Sequence, residues 1–168
     1  MTTTPAPGSP GDGPVVVGVH PGLSEDVARR AGQLAARLGV DLVAVWVDPA
    51  QALVHEGGRT EVVPIDPDGA ADAASAVASL RLELSDELTP LAVPWTLETT
   101  AGDIADRLAA VAERLDATLI VVGTHRAGLG RWAETVVGHA LGGRLSHSQH
   151  RPVVVLPNLH HDKRAESP

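Results

Sequence analysis

Four runs of consecutive apolar residues, most of them β-branched, limit what this chain can fold into more than any other feature. They cover residues 15–19, 42–47, 119–122 and 153–155. A strand that is apolar on both sides has to be buried on both faces, as happens in a parallel sheet covered by helices. Between the runs, apolar residues recur at helical spacing. This alternation predicts an α/β domain with helices on both faces of the sheet.

The segments between the runs are interpreted from the same periodicities and from their glycines and prolines. Asp48 to Gly69 is the least regular segment, and Glu56-Gly57-Gly58-Arg59 within it is typical of a hairpin turn. Asp103 is well placed to cap a helix. The remaining predicted elements are a helix ending at Gly39, a helix over residues 72–88, a strand over residues 95–99 and a helix after Asp103.

The composition excludes several classes of protein. The chain of 168 residues suits one domain, and its formal charge of −8 and aromatic share of 2% disfavour nucleic acid as a partner. It has no cysteine, which excludes disulfides and thiolate metal sites and fits a cytoplasmic protein. No apolar run approaches the roughly 20 residues that a membrane helix needs. We expect residues 1–13 to be a disordered leader, residues 14–157 the domain and residues 158–168 a flexible tail.

The stretch from Leu119 to Pro157 carries the chemistry that the sequence offers. Gly123 ends a buried-type strand, Gly128 follows in a loop, and Gly138 precedes the next helix. A glycine-bearing loop between a parallel strand and a helix is where α/β proteins hold phosphates, because backbone N–H groups can approach and the helix end favours negative charge. These glycines have a second interpretation, since glycines in such loops often serve only tight turns.

The same stretch resembles the C-terminal signature of the universal stress protein family. Gly123-Thr124, then Gly128, nine residues, Gly138 and the closing strand Arg151-Pro152-Val153-Val154-Val155 are similar to it. Nucleotide-binding members carry Gly-x-x-Gly, nine residues, then Gly-Ser or Gly-Thr. The resemblance implies a three-layer α/β sandwich with a five-stranded parallel sheet of order 3-2-1-4-5, an adenine nucleotide alpha hydrolase-like, Rossmann-like fold.

A sheet of that order has a topological switch point between its first and fourth strands, where ligands bind at the carboxyl ends. Three loops should surround this crevice: the one that starts at His20, the residues after Val45, and the loop from Gly123 to Gly138. The resemblance implies ATP or another adenine nucleotide as the ligand, with magnesium only alongside a bound nucleotide. The implied binding residues are His20, Val45, Gly123, Thr124, Gly128, Gly138 and His139.

Three positions depart from the family's binding pattern, and all belong to this crevice. Arg126 stands where the second glycine would be, His139 replaces the Ser or Thr hydroxyl, and His20 replaces an Asp that helps to bind the nucleotide. An imidazole cannot reproduce the paired acceptor oxygens of a carboxylate. Two interpretations stay open: the crevice has lost its nucleotide, or His20, His125, Arg126 and His139 make it cationic and suited to a different anion.

Neither catalysis nor metal binding has support in the sequence. No Ser-His-Asp order and no paired-carboxylate context stands out, so we expect a protein that is not an enzyme, with weak ATP hydrolysis as the exception. His160 and His161 are adjacent and point apart in an extended chain, and the helix that carries His147 should end before His150. We therefore expect no metal site.

The last strand, from Arg151 to Leu156, should form an edge of the sheet. An exposed apolar edge invites aggregation unless it is paired. Members of the resembled family pair this strand with its copy, which implies a homodimer. We expect a cytoplasmic stress-response or regulatory protein with a degenerate nucleotide-binding crevice and an unknown protein partner. A genuine ATP sensor and a weak ATPase are the alternatives.

Overall fold

The structure is a computed structural model, and it describes residues 13–22, 25–65, 70–123, 143–145, 147 and 149–157. The described elements, in chain order, are β1 (Val15–Val19), α1 (Glu25–Leu38), β2 (Leu42–Val47), β3 (Gln51–Glu56), β4 (Arg59–Pro64), α2 (Ala70–Leu88), a 3₁₀ turn (Thr89–Leu91), β5 (Trp95–Thr100), α3 (Ile104–Arg114), β6 (Leu119–Gly123) and β7 (Val153–Leu156).

Five of the strands form one parallel sheet in the order β5-β2-β1-β6-β7. Counted along the chain among these five, the order is 3-2-1-4-5, so the fold class that the resemblance implied is confirmed. The direction of winding reverses between β1 and β6. The carboxyl ends of these two strands therefore flank the topological switch point of the sheet.

Two hydrophobic cores lie on the two faces of the sheet, because successive side chains of a strand point to opposite sides. Val15, Val17 and Trp46 pack on the face covered by α1 and α2. Val16 and Val45 pack on the face covered by α3. The runs in β1, β2 and β6 are thus buried on both sides, as predicted, whereas the run in β7 is only partly buried. Trp46 and Trp95 both pack on the α1–α2 side.

The irregular segment after β2 does contain the predicted hairpin. β3 and β4 form a separate two-stranded antiparallel sheet in which Glu56 pairs with Arg59. The two residues between them, Gly57 and Gly58, have φ angles of +56° and +80°. Positive φ at both central residues defines a type I′ turn, whose twist matches that of the flanking strands.

The helix ends follow the signals in the sequence. α1 ends before Gly39, whose φ of +70° is in the left-handed region. At the start of α3, the carboxylate of Asp103 accepts a hydrogen bond from the Asp106 backbone N–H at 3.2 Å, so Asp103 caps this helix as predicted. α2 begins at Ala70, two residues before the predicted start, because alanine is a strong helix former.

The two ends of the chain are only partly described. Gly13, expected to close the leader, is described, and its carbonyl accepts a hydrogen bond from the Thr118 hydroxyl at 2.6 Å. Residues 1–12 and 158–168 lie outside the described residues, so the leader and the tail stay predictions.

Candidate functional site

The candidate crevice lies at the carboxyl edge of the sheet, where β1 and β6 end. Of the seven candidate binding residues, the structure describes His20, Val45 and Gly123. The other four, Thr124, Gly128, Gly138 and His139, lie outside the described residues, as do His125 and Arg126.

His20 is the first residue after β1, at the switch point. It is half-buried, and its Nδ1 lies 3.0 Å from the carbonyl oxygen of Pro21. This is a hydrogen bond in the tautomer that carries its hydrogen on Nδ1. One ring nitrogen of His20 is therefore engaged by the loop itself.

Gly123 is the last residue of β6 and pairs with Leu156 of β7. A Cβ placed on Gly123 would lie 2.7 Å from Cγ2 of Val27, in the first turns of α1. Valine is stiff at χ1 and cannot easily move its methyl groups aside. The close approach of α1 to β6 thus requires glycine at this position, whether or not a ligand binds there.

Val45 lies inside β2 and not at its end. It pairs with Gly18 on one side and with Glu98 on the other, and its side chain is 1% exposed in the core under α3. β2 continues to Val47, so the chain leaves the sheet at Asp48. The structure does not bring the side chain of Val45 to the crevice.

A carboxylate from α2 reaches the loop after β1. Oε2 of Glu83 accepts a hydrogen bond from the backbone N–H of Gly22 at 3.2 Å. Gly22 has a φ of +80°, a conformation that favours glycine. The sequence does not predict this contact, because Gly22 and Glu83 are 61 positions apart and no local sequence pattern relates them.

Charged side chains also surround the first turns of α1. Asp26 accepts a hydrogen bond from Arg29 at 2.6 Å and lies 3.6 Å from Arg30. The guanidinium of Arg30 donates to the carbonyl oxygen of Pro157, just after β7, at 2.9 Å. Asp26 and Glu83 therefore place two carboxylates next to the positive end of the α1 dipole.

Among the described residues, Asp48 is a buried polar residue at this edge of the sheet, and it is 2% exposed. One carboxylate oxygen accepts from the Ala50 backbone N–H at 2.9 Å, and the other accepts from the Gln51 side chain at 2.8 Å. Its own N–H donates to the carbonyl of Thr100 at 2.7 Å. Both oxygens are used in starting the hairpin, so Asp48 acts as a turn residue.

Asp103 joins α3 to the segment that precedes β7. Its two carboxylate oxygens each accept a hydrogen bond from the guanidinium of Arg144 at 3.1 Å. Partial burial acts to raise the pKa of Asp103, but the hydrogen bonds from the Asp106 N–H and from Arg144, together with the positive charge of Arg144, outweigh it and hold the pKa below its ordinary value. The neighbouring Leu145 is fully buried, so the ion pair of Arg144 and the apolar side chain of Leu145 both anchor this segment.

β7 is an edge strand, as predicted, and its start is held by Arg151. The guanidinium of Arg151 donates to the carbonyl of Ala117 at 2.9 Å and to the carboxylate of Asp116 at 3.0 Å. Within the strand, Val155 is 37% exposed. β7 thus presents a fixed and partly apolar edge.

Within residues 13–157, apart from the gaps given above, no group of three His, Asp or Glu side chains gathers to hold a metal ion. None of the helices in the described part of the chain has the length and apolarity needed to cross a membrane.

Comparison with known proteins agrees with this architecture. The universal stress protein family matches residues 13–157. None of the curated proteins matches the chain significantly.

Several solved structures share the fold. One is a universal stress protein family member from Burkholderia pseudomallei, 24% identical, covering 90% of this chain and 99% of that one with a TM-score of 0.59. Another is the universal stress protein from Archaeoglobus fulgidus in complex with dAMP, 20% identical over 84% of this chain and 95% of that one, with a TM-score of 0.57. A third, a universal stress protein in complex with cAMP, is 21% identical over 88% of this chain and 99% of that one, with a TM-score of 0.58. Because the family match spans nearly all of the described chain and the sheet order agrees with it, this protein belongs to the universal stress protein family.

Proposed function

We propose that this chain is a stress-response regulatory protein that acts as a cytoplasmic homodimer, and that its crevice binds adenine nucleotides weakly or not at all. Family membership supports the stress-response role. The absence of cysteine supports a reducing compartment. The protein would act through an unknown protein partner and not as an enzyme.

The observation that carries the weak-binding proposal is the hydrogen bond from the Gly22 N–H to Glu83. A backbone donor in the β1–α1 loop, which could otherwise face an anion, is already occupied by a carboxylate. That carboxylate also repels phosphate, and because the contact is exposed to solvent this repulsion is modest. His20 adds a second reason, because it supplies no paired acceptor oxygens for a ribose or a base.

The described part of the crevice fits a nucleotide poorly. Gly123 is the one described candidate whose backbone could approach a phosphate, and its lack of a side chain is also required by Val27. Thr124, Gly128 and Gly138 are the residues that would hold the phosphates if a nucleotide binds, and magnesium would then neutralise phosphate charge. His139 would stand where the family has a hydroxyl donor.

The alternative is a genuine adenine nucleotide sensor. It is favoured by the complexes of similar proteins with dAMP and cAMP. The spacing of nine residues between Gly128 and Gly138 also favours it. Weak ATP hydrolysis would in addition need a general base and a cation site, and no group of three His, Asp or Glu side chains gathers for a cation among the described residues.

The homodimer is proposed to form through β7. Val155 is exposed on this edge, and an isologous pairing of two β7 strands would satisfy the outer backbone groups of both. Pro152 and Pro157 flank the strand without removing a donor from its middle. The hydrogen bond from Arg151 to Ala117 fixes the start of the strand in the single chain, before dimerisation.

Calorimetric titration with ATP and magnesium tests this proposal. The unaltered protein should give no heat of binding, whereas micromolar affinity, equivalent to about −8 kcal/mol, would overturn the weak-binding proposal. The variant His139→Ser restores the hydroxyl, and binding by this variant alone would show that the crevice is otherwise intact. Glu83→Gln keeps an oxygen that accepts from the Gly22 N–H but removes the negative charge. It therefore distinguishes charge repulsion of the phosphate from occupation of the Gly22 N–H.

A further inference from the structure

The β3–β4 hairpin is poorly covered by the rest of the molecule. Among the described elements, its two strands pack extensively only on each other. Leu53 of β3 reaches the body, because its Cδ1 lies 3.5 Å from where a Cβ of Gly102 would be. By contrast, residues 59–62 of β4 are all exposed, and Val62 is 41% exposed. An isolated two-stranded hairpin is only marginally stable in water, so a further strand beside β4 would stabilise it.

The register shows which backbone groups of β4 are unpaired. In a two-residue hairpin the flanking residues, Glu56 and Arg59, form a hydrogen-bonded pair, and such pairs recur at every second residue. The bond from the Ile65 N–H to the Ala50 carbonyl, at 2.9 Å, fits the same alternation. The backbone groups of Thr60 and Val62 therefore point away from β3. We call them the outer edge of β4.

The side chains along this edge carry opposite charges two residues apart. Arg59 and Glu61 lie on the same face of β4, because side chains alternate along a strand. Both are exposed, and neither forms an ion pair with another residue in the part of the chain that the structure describes. Two unpaired charges of opposite sign on an open strand edge fit a partner strand with the reverse arrangement.

We propose that β4 pairs antiparallel with β4 of a second copy of this chain, with the two Thr60 residues directly opposite one another. In this register, Arg59 of each copy faces Glu61 of the other, so two ion pairs form. The Thr60 residues exchange two backbone hydrogen bonds. Cross-strand Thr–Thr pairs and opposite-charge pairs are both stabilising on a sheet.

Other registers of the same edge are less favourable. A register centred on Glu61 places two carboxylates directly opposite each other, which is destabilising. A register centred on Val62 sets Thr60 against Pro64, which has no N–H to donate. The register centred on Thr60 avoids both problems, and it completes a four-stranded antiparallel sheet.

The proposed β4–β4 contact is independent of the β7 dimer and of the nucleotide crevice proposed above. The hairpin follows β2, near the β5 edge of the sheet, whereas β7 forms the opposite edge. One assembly can therefore contain both contacts. Neither contact requires a nucleotide, so failure of one proposal leaves the other open to its own test.

Cysteine cross-linking tests the register directly, because the native chain has no cysteine. In Thr60→Cys the two new thiols would lie on residues with Cα atoms about 5.5 Å apart, within the span of a disulfide. His55→Cys is a matched control, since His55 is exposed and pairs with Thr60 within the hairpin. Its thiols would lie three strand spacings apart, roughly 14 Å. Mild oxidation should therefore join Thr60→Cys into dimers and leave His55→Cys unjoined. Equal cross-linking of both variants, or of neither, would overturn the proposal.

A charge exchange tests the same register without cysteine. Arg59→Glu and Glu61→Arg should each weaken self-association by roughly tenfold, measured by sedimentation at low salt, because each turns two attractive pairs into repulsive ones. The double variant Arg59→Glu, Glu61→Arg should regain the association of the parent. Arg81→Glu on α2 changes the net charge by the same amount as Arg59→Glu and should have no effect. A double variant that stays as weak as the single variants would contradict the proposed pairing.

Discussion

At the scale of single residues, the candidate crevice is built from contacts that serve the fold. Gly123 is required by the methyl groups of Val27, and the N–H of Gly22 is engaged by Glu83. One nitrogen of His20 lies against the carbonyl of Pro21. A glycine or a histidine at the end of a parallel strand therefore does not identify a ligand contact by itself. The contacts of such a residue with the rest of the protein determine whether it is available to bind a ligand.

The contact between Gly123 and Val27 gives a quantitative prediction. Gly123→Ala should lower the free energy of unfolding by about 1–3 kcal/mol, because the added methyl group overpacks a rigid site. In a Val27→Ala background the same change should cost much less, so the two effects should not be additive. Urea denaturation of the single and double variants measures these free energies of unfolding.

Gly143→Ala is the control for that cycle, since a Cβ at Gly143 would meet no atom within 4 Å. It should be neutral or slightly stabilising, as alanine favours a helix over glycine. Equal costs for Gly123→Ala with and without Val27 would refute the close contact.

At the scale of elements, ion pairs and caps fix the parts of the chain that border the crevice. Asp103 caps α3 and binds Arg144, while Arg30 of α1 binds the carbonyl of Pro157 after β7. These contacts tie the chain before and after the last strand to helices on opposite faces of the sheet. β7 is therefore held in place from both sides.

The cap at Asp103 predicts a pH dependence. Asp103→Ala should lower the free energy of unfolding by about 0.5–2 kcal/mol at neutral pH, the usual cost of losing a cap. Because the pKa of Asp103 is lower in the folded state than its ordinary value, this contribution is complete above about pH 4 and is lost as the pH falls through the lowered value. The stability difference between parent and variant should thus narrow in acid.

Denaturant titrations between about pH 7 and pH 3 measure this narrowing. Asp106→Ala serves as the control, since Asp106 lies in the same first turn of α3 and does not cap it with its side chain. A difference that stayed constant or widened in acid would argue against the charged cap and its pair with Arg144.

At the scale of the whole molecule, much of the architecture could be predicted from the sequence and the site could not. The apolar runs dictate buried parallel strands, and Gly57-Gly58 dictates the turn of the hairpin, because both are local signals. The contact of Glu83 with Gly22 and the close approach of Val27 to Gly123 arise only when distant segments pack together. No periodicity in a single sequence encodes such pairs.

The proposed dimer gives a prediction for the assembled molecule. Val155→Lys should halve the mass of the assembly, because it places two like charges near one another where two β7 strands pair. Leu82→Lys makes the same change at an apolar residue of α2 that is 69% exposed, and it should leave the mass unchanged. Light scattering after size-exclusion chromatography measures the mass of the assembly formed by each variant. An unchanged mass for Val155→Lys would exclude pairing through β7.

Native mass spectrometry of freshly purified protein, compared with the same sample denatured, measures whether a nucleotide accompanies the chain. We expect an even-numbered assembly whose mass equals that of its chains alone, because the carboxylate at Gly22 and the histidine at position 20 disfavour a nucleotide. An added mass equal to an adenine nucleotide on each chain would contradict the weak-binding crevice, and would make this protein a nucleotide sensor.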